Sequence, residues 1–180
     1  MLTVLSLCDF TGEWSRPYRE AGYDVIQVDI KHGQDVRLFE SLRYRVRGVL
    51  AAPPCTHLAL SGARWWSDKG EAALLEAMAV VDACLRVVQV HDPVWWVLEN
   101  PVGRLTKYLG EPRMKFDPAD YGDPYTKKTL LWGNFNPPLK RPVEATEGSK
   151  MHLIPPSEER AAIRSVTPSG FARAFFEANP

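Results

Sequence analysis

The chain has 180 residues, 45% hydrophobic and 24% charged, a balance that excludes a disordered chain and suits one domain with a sizeable core. Net charge is +0 and the pI is near 6.9, so no bulk pull toward nucleic acid is built in, although Arg37, Arg43, Arg45 and Arg47 cluster locally. No apolar stretch approaches the roughly 18 residues of a membrane span, the N-terminus lacks the charged region and cleavage site of a signal peptide, and three cysteines without metal-type spacing point to a reduced, cytoplasmic protein with no metal site.

"TVLSL" (3–7) is a short apolar run that predicts a buried strand. "SRPYREAG" (15–22) reads as a helix stopped by Gly22. "YDVIQVDI" (23–30) is a second strand with Asp29 near its end, and "RGVLAA" (47–52) is a third. "KGEAALLEAMAVVDACLRVVQVH" (69–91) is the longest helix, with Ser67 or Asp68 placed to cap it. "PVWWVLEN" (93–100) is apolar through its centre, as an interior parallel strand is. Strand candidates follow at 114–122 and 128–135, then helices at 156–166, with Ser157, Glu158 and Glu159 in the first turn, and at 168–179, with Pro168 at its start. Alternating strands and helices predict an α/β fold with a largely parallel sheet.

In open α/β sheets ligands bind beyond the carboxyl ends of the strands. The first strand delivers Cys8, Asp9, Phe10, Thr11 and Gly12 there, and the second delivers Asp29. The "RGVLAA" strand delivers Pro53, Pro54 and Cys55, and the "WWVL" strand delivers Glu99, Asn100 and Pro101. One glycine in the first turn, with an acid at the second strand tip, suits an adenosine-bearing cofactor without phosphates; the alternative is a plain turn and a capping Asp. Cys55 leaves a strand end, where a thiolate is accessible; the alternative is an inert small apolar residue. Glu99 follows an apolar strand, where burial would hold its proton; the alternative is a turn before Pro101.

"PPC" (53–55), "ENP" (99–101), "LSLCDFTGEW" and "VIQVDI", in this order and on these elements, resemble the DNA cytosine-5 methyltransferases in a short, phage-like form. The resemblance extends through "YGDPYTKKTLLWG" (121–133) and the last helix. It implies a Rossmann-like, class I S-adenosylmethionine-dependent methyltransferase sheet with helices on both faces. It implies a cofactor held by Phe10, Thr11, Gly12 and Trp14, by Asp29 at the ribose, by Asp35 at the adenine amino group, and by Pro53. Cys55 matches the nucleophile that adds to C6 of cytosine, and Glu99 the acid at the N3 and amino edge. Asn100 fixes the Glu99 loop, and Pro54 holds the backbone near the base. The implied partner is DNA, with the target cytosine flipped out of the stack.

Two departures from the family are visible. Its Gln-x-Arg-x-Arg motif aligns with Tyr125, Lys127 and Thr129, so only the middle cation is kept, with Lys128 next to it. Residues 136–166 form a short, proline-rich segment where the family carries a target-recognition region. DNA specificity then rests on short loops, a homodimer partner or relaxed recognition. Arg64, Trp65 and Trp66 offer a basic and aromatic surface, or the tryptophans pack on the long helix. His57 reads as a hydrogen-bonded loop residue. Two further readings keep part of this chemistry: C5 methylation of a free cytidine nucleotide, and a catalytically impaired cofactor-binding protein.

Overall fold

Six apolar runs pair into one sheet in a computed structural model of the protein, which describes residues 2–155, 157 and 159–180 and only the backbone of His152. The strands are β1 (Thr3–Leu7), β2 (Asp24–Val28), β3 (Val46–Ala51), β4 (Trp95–Pro101), β5 (Met114–Phe116) and β6 (Thr129–Asn134), in the order β2-β1-β3-β4-β6-β5. The first four are parallel; β6 runs antiparallel to both β4 and β5. Because β6 is reversed, the loop that enters it reaches the edge at which β1, β3 and β4 end. Pro101 pairs with Thr129, so residues 126–128 stand beside the end of β4.

Helices cover both faces. Side chains alternate along each strand, so Leu5, Leu7, Val49, Ala51, Leu98, Leu130 and Trp132 pack with Ala77, Val81, Cys84 and Val87 of α2 (Trp66–His91). Val4, Leu50, Val97 and Leu131 face the other way, against Tyr18 of α1 (Arg16–Glu20) and Phe171 and Phe175 of α5 (Ser169–Ala178). Phe116 stacks on Phe171 with ring centroids 4.0 Å apart. Burial of these large rings supplies most of the favourable free energy on this face, at about 25 cal/mol per Å² of apolar surface.

Several elements differ from the pattern read in the sequence. The strand expected over 114–122 stops at Phe116, because Pro118 brings no N–H to a ladder and opens a 3-10 turn ending at Gly122, φ +97°. Ser67 and Asp68 do not cap α2: it starts at Trp66 and is broken at Gly70, φ 69° and ψ −173°, beyond which the regular helix runs to His91. The helix expected over 156–166 is α4 (Arg160–Ser165); of its expected first turn, Glu158 lies outside the described residues. A one-turn α3 (Thr106–Leu109) follows β4. No described helix is long and apolar enough to cross a membrane.

Candidate active site

The loops leaving β3 and β4 are zipped together. Leu60 N–H donates to the Val102 carbonyl at 2.8 Å, Arg104 N–H to the Leu58 carbonyl at 2.8 Å, and Ala59 bridges Gly103. A Cβ on Gly103 would overlap the Leu58 carbonyl oxygen, so only glycine allows this approach. The buried Asn100 side chain adds a third tie, its Nδ2 donating to the Pro53 carbonyl at 2.9 Å. The result is a cavity of about 590 Å³ whose walls include Pro53, Pro54, Cys55, Glu99, Asn100, Lys127, Lys128 and Arg164.

Cys55 sits at the mouth of this cavity with its side chain exposed. Its own carbonyl accepts the Leu58 and Ala59 amides, both at 2.9 Å, which locks the turn that presents it. The surrounding protein pushes the thiol up from its ordinary value by desolvation, and Glu99 adds to this; Lys127 and Arg164 act the other way. Glu99 is also pushed up, by burial, and Lys127 opposes that shift. The acid therefore holds its proton at a higher pH than an exposed carboxyl would. The other cysteines are placed differently. Cys84 is buried with its thiol pushed up by contact with Cys8 and by burial, and Cys8, half-buried, lines the deep wall.

The ammonium Nζ of Lys127 donates to the Arg164 carbonyl at 2.8 Å, so this cation ties α4 to the cavity. Lys128 pairs with Asp117 at 2.5 Å, and Asp117 also accepts the Lys127 amide at 2.9 Å. The two positions where the resembled family carries Gln and Arg are buried here and structural. Tyr125 is covered by Lys150, its Nζ 4.2 Å from the ring centroid, and Thr129 Oγ1 donates to the Lys127 carbonyl at 2.8 Å. Residues 136–166 do more than connect β6 to α5: Ser149, Met151, Arg164 and Ser165 close one side of the cavity.

Toward β1 and β2, Gly12 turns at φ +69° and Phe10 is exposed, its ring 5.1 Å from that of His32 and its face 4.5 Å from Lys31 Nζ. Thr11 Oγ1 donates to Asp9 at 3.4 Å. Asp29 caps the turn after β2, one oxygen accepting the Lys31 amide at 2.8 Å. Asp35 is engaged by the Arg37 guanidinium, at 2.6 Å for the closest pair, which pulls its carboxyl down. Trp14 does not face this edge. It is fully buried on the α5 face, about 6 Å from Phe171 and Phe175, because the chain has already turned into α1 on that side. Arg64 also stands apart from the cavity, exposed, 5.0 Å over the half-exposed Trp65 ring; Trp66 lies under Arg104 at 4.0 Å. His57 Nδ1 is buried without a hydrogen-bond partner among the described residues, contrary to the expected bonded loop residue.

Three residues hold the first loop: Asp9, named at the strand end without a role, and Arg19 and Gln27, which were missed. Buried Asp9 accepts the Gly12 amide at 3.0 Å and the hydroxyls of Ser6 and Ser15. Arg19 donates to the Gly12 carbonyl at 2.5 Å, and Gln27 Nε2 donates to the carbonyls of Asp9 and Phe10. A single glycine thus suffices because a buried acid and two long side chains fix the loop. Asp9 follows an apolar strand and could have been found by asking what a buried acid bonds; Arg19, Gln27 and Arg164 carry no such signal. Among the described residues no three His, Cys, Asp or Glu side chains cluster as a metal site would.

No family model and no curated protein matches the chain. Among solved structures it is similar to a crystallised candidate DNA modification methyltransferase encoded within an E. coli prophage, at TM-score 0.51 and 18% identity over 80% of this chain and 53% of that one. The chain therefore spans about half the length of that protein. The likeness, with the mixed six-stranded sheet covered on both faces, shows a Rossmann-like α/β fold shared with that protein.

Proposed function

We propose that the chain transfers a methyl group from S-adenosylmethionine to C5 of cytosine in DNA, through a covalent adduct on Cys55. The observation that carries this reading is the pairing of an exposed cysteine with a half-buried, proton-holding glutamate in one cavity. The likeness to a candidate DNA modification methyltransferase supports methyl transfer on DNA as the reaction class.

The residues beside the cavity suit the donor. Phe10 offers an exposed ring, Asp29 uses one carboxylate oxygen on its cap and keeps the second for a ribose diol, and Pro53 forms a wall shared with the cavity. When bound, S-adenosylmethionine supplies an electrophilic methyl carbon. Cytosine C5 is too weak a nucleophile to take that carbon unaided. Addition of the Cys55 thiolate to C6 makes the ring electron-rich, and Glu99 stabilises the developing charge by donating its proton to N3. Loss of the C5 proton then lets Cys55 leave. Asn100 keeps Glu99 and the Cys55 loop in register through Pro53. Pro54, Lys127 and Lys128 line the same cavity and take the backbone and phosphate side of the target.

Incorporation of tritiated methyl groups into duplex DNA, single-stranded DNA and dCMP tests this reading. Duplex labelling that disappears in Cys55→Ala is expected; labelling that survives the substitution sinks the nucleophile assignment. A second reading, methylation of a free nucleotide, draws on the segment 136–166, whose Ser149, Met151 and Arg164 close over the cavity. It expects dCMP to outcompete both polymers. Cofactor binding by calorimetry without labelling of any substrate would instead leave a cofactor-binding protein.

A further inference from the structure

We propose that Arg164, delivered by α4 from the segment between β6 and α5, is a positioning residue that sets a fixed positive charge facing the Cys55 sulfur. The inference rests on the reading of Cys55 as nucleophile and adds a residue to it. Arg164 and Cys55 line the same cavity, and the Arg164 charge favours the thiolate. The charged and titratable groups of that cavity come from every neighbouring element: Cys8 after β1, Glu99 in β4, Asp117 after β5, Lys127 and Lys128 before β6, and Arg164 in α4.

Their pairings leave Arg164 with a distinct role. Lys128 is neutralised by Asp117 at 2.5 Å. The Lys127 Nζ is bonded to the Arg164 carbonyl, which holds the helix end in place, and its charge also favours the Cys55 thiolate, more strongly than that of Arg164. The Glu99 carboxyl, when ionised, disfavours a thiolate at Cys55. Among the described residues the Arg164 side chain has no ion pair, and a guanidinium keeps its charge at every working pH. A short helix of six residues carries it, and one lysine hydrogen bond fixes that helix at the cavity. A second sign of a ligand-facing wall is Asn100, 1% exposed, whose Oδ1 is buried without a partner among the described residues.

The test reads the thiol directly in the full chain, without substrate or cofactor. Iodoacetamide is attacked by thiolate: the S–C bond forms with the sulfur electron pair, and iodide leaves with the C–I pair, so the rate follows the thiolate fraction. Cys55 alkylation is followed by peptide mass from pH 6 to 10 in wild type, Arg164→Ala and Arg164→Lys, with thermal unfolding recorded for each. Arg164→Ala is expected to slow alkylation at pH 7.5 by about fivefold and to move the profile to higher pH, with Arg164→Lys restoring most of the rate. An alanine variant that alkylates like wild type at every pH overturns the proposal. So does a lysine variant as slow as the alanine one, since the loss would then not follow charge. Where alanine fails to fold, 1 M salt must slow wild type more than Arg164→Gln; equal slowing also overturns it. The methyl-transfer assay separates the two ideas. A charge effect on alkylation with no methylation of any substrate sinks the enzyme reading alone, and methylation untouched by Arg164→Ala sinks the Arg164 role alone.

Discussion

At the scale of single residues, the site is governed by how two raised acids share protons. The mechanism proposed above needs a thiolate at Cys55 and a protonated Glu99, while both groups are pushed up by desolvation. Between their two titrations the pair holds one proton, and the working arrangement is a constant minor fraction of that form. The rate therefore climbs as pH rises to the Glu99 transition, stays level, and falls once Glu99 can no longer be protonated beside an ionised Cys55. Glu99→Gln is expected to abolish the alkaline fall of the pH–rate profile, leave a rise that follows Cys55 ionisation, and lower turnover about 10²–10³-fold, measured by tritiated-methyl incorporation across pH. The same substitution has a stability signature. A carboxyl raised in the folded state stabilises fully below its ordinary value, and that contribution is lost as pH rises through the raised value. Glu99→Gln should thus unfold about 2–4 °C higher than wild type at pH 8, the effect of about 1 kcal/mol in a domain of this size, and the gap should close below the ordinary carboxyl range. Equal melting temperatures at pH 8 would mean that Glu99 is not desolvated.

At the scale of elements, the Cys55 loop depends on its neighbour. Gly103 is the point of closest backbone approach, and the obstructing atom is a carbonyl that cannot swing aside. Gly103→Ala is expected to cost about 1–3 kcal/mol and to slow Cys55 alkylation, read by thermal melts and peptide mass; an unchanged melt would mean that the two loops are not held together. Strand ends were legible in the sequence because apolar runs stop where polar chemistry starts: Cys55 follows "GVLAA" after two prolines, and Glu99 follows "WWVL" directly. Facing was not legible. Trp14 lies two residues past Gly12, yet α1 packs on the α5 face and carries it away from the edge. Asp35 and Arg37 satisfy each other, a local pairing that a motif alignment does not weigh. Arg164 reaches the cavity only through tertiary packing of a segment whose proline content suggested a plain connector.

At the scale of the whole molecule, the sheet is held between unlike layers. The α2 face is aliphatic, whereas the α1 and α5 face is an aromatic cluster built on Trp14, Tyr18, Phe116, Phe171 and Phe175. Phe171 meets four rings at once, stacking on Phe116 and meeting Trp14, Tyr121 and Phe175 edge-on or tilted. Phe171→Ala is therefore expected to cost about 3–5 kcal/mol in urea unfolding, and Phe171→Met less, because more of the side-chain volume is kept. A loss under 1 kcal/mol in the alanine variant would mean that α5 is peripheral to stability.

The reversed direction of β6 also has a consequence for the order of folding. β5 and β6 are near in sequence and pair antiparallel, which is a fast closure; β1 pairs with β3 and β3 with β4 only across long intervening chain, which is slow. Cys55, Glu99 and Lys127 arrive on three separate strand ends, and their common wall exists only when the slow pairings and the early hairpin have joined. Partly folded forms of this chain thus hold Cys55 without Glu99 beside it, and the proposed nucleophile is expected to become competent only at the last step of assembly.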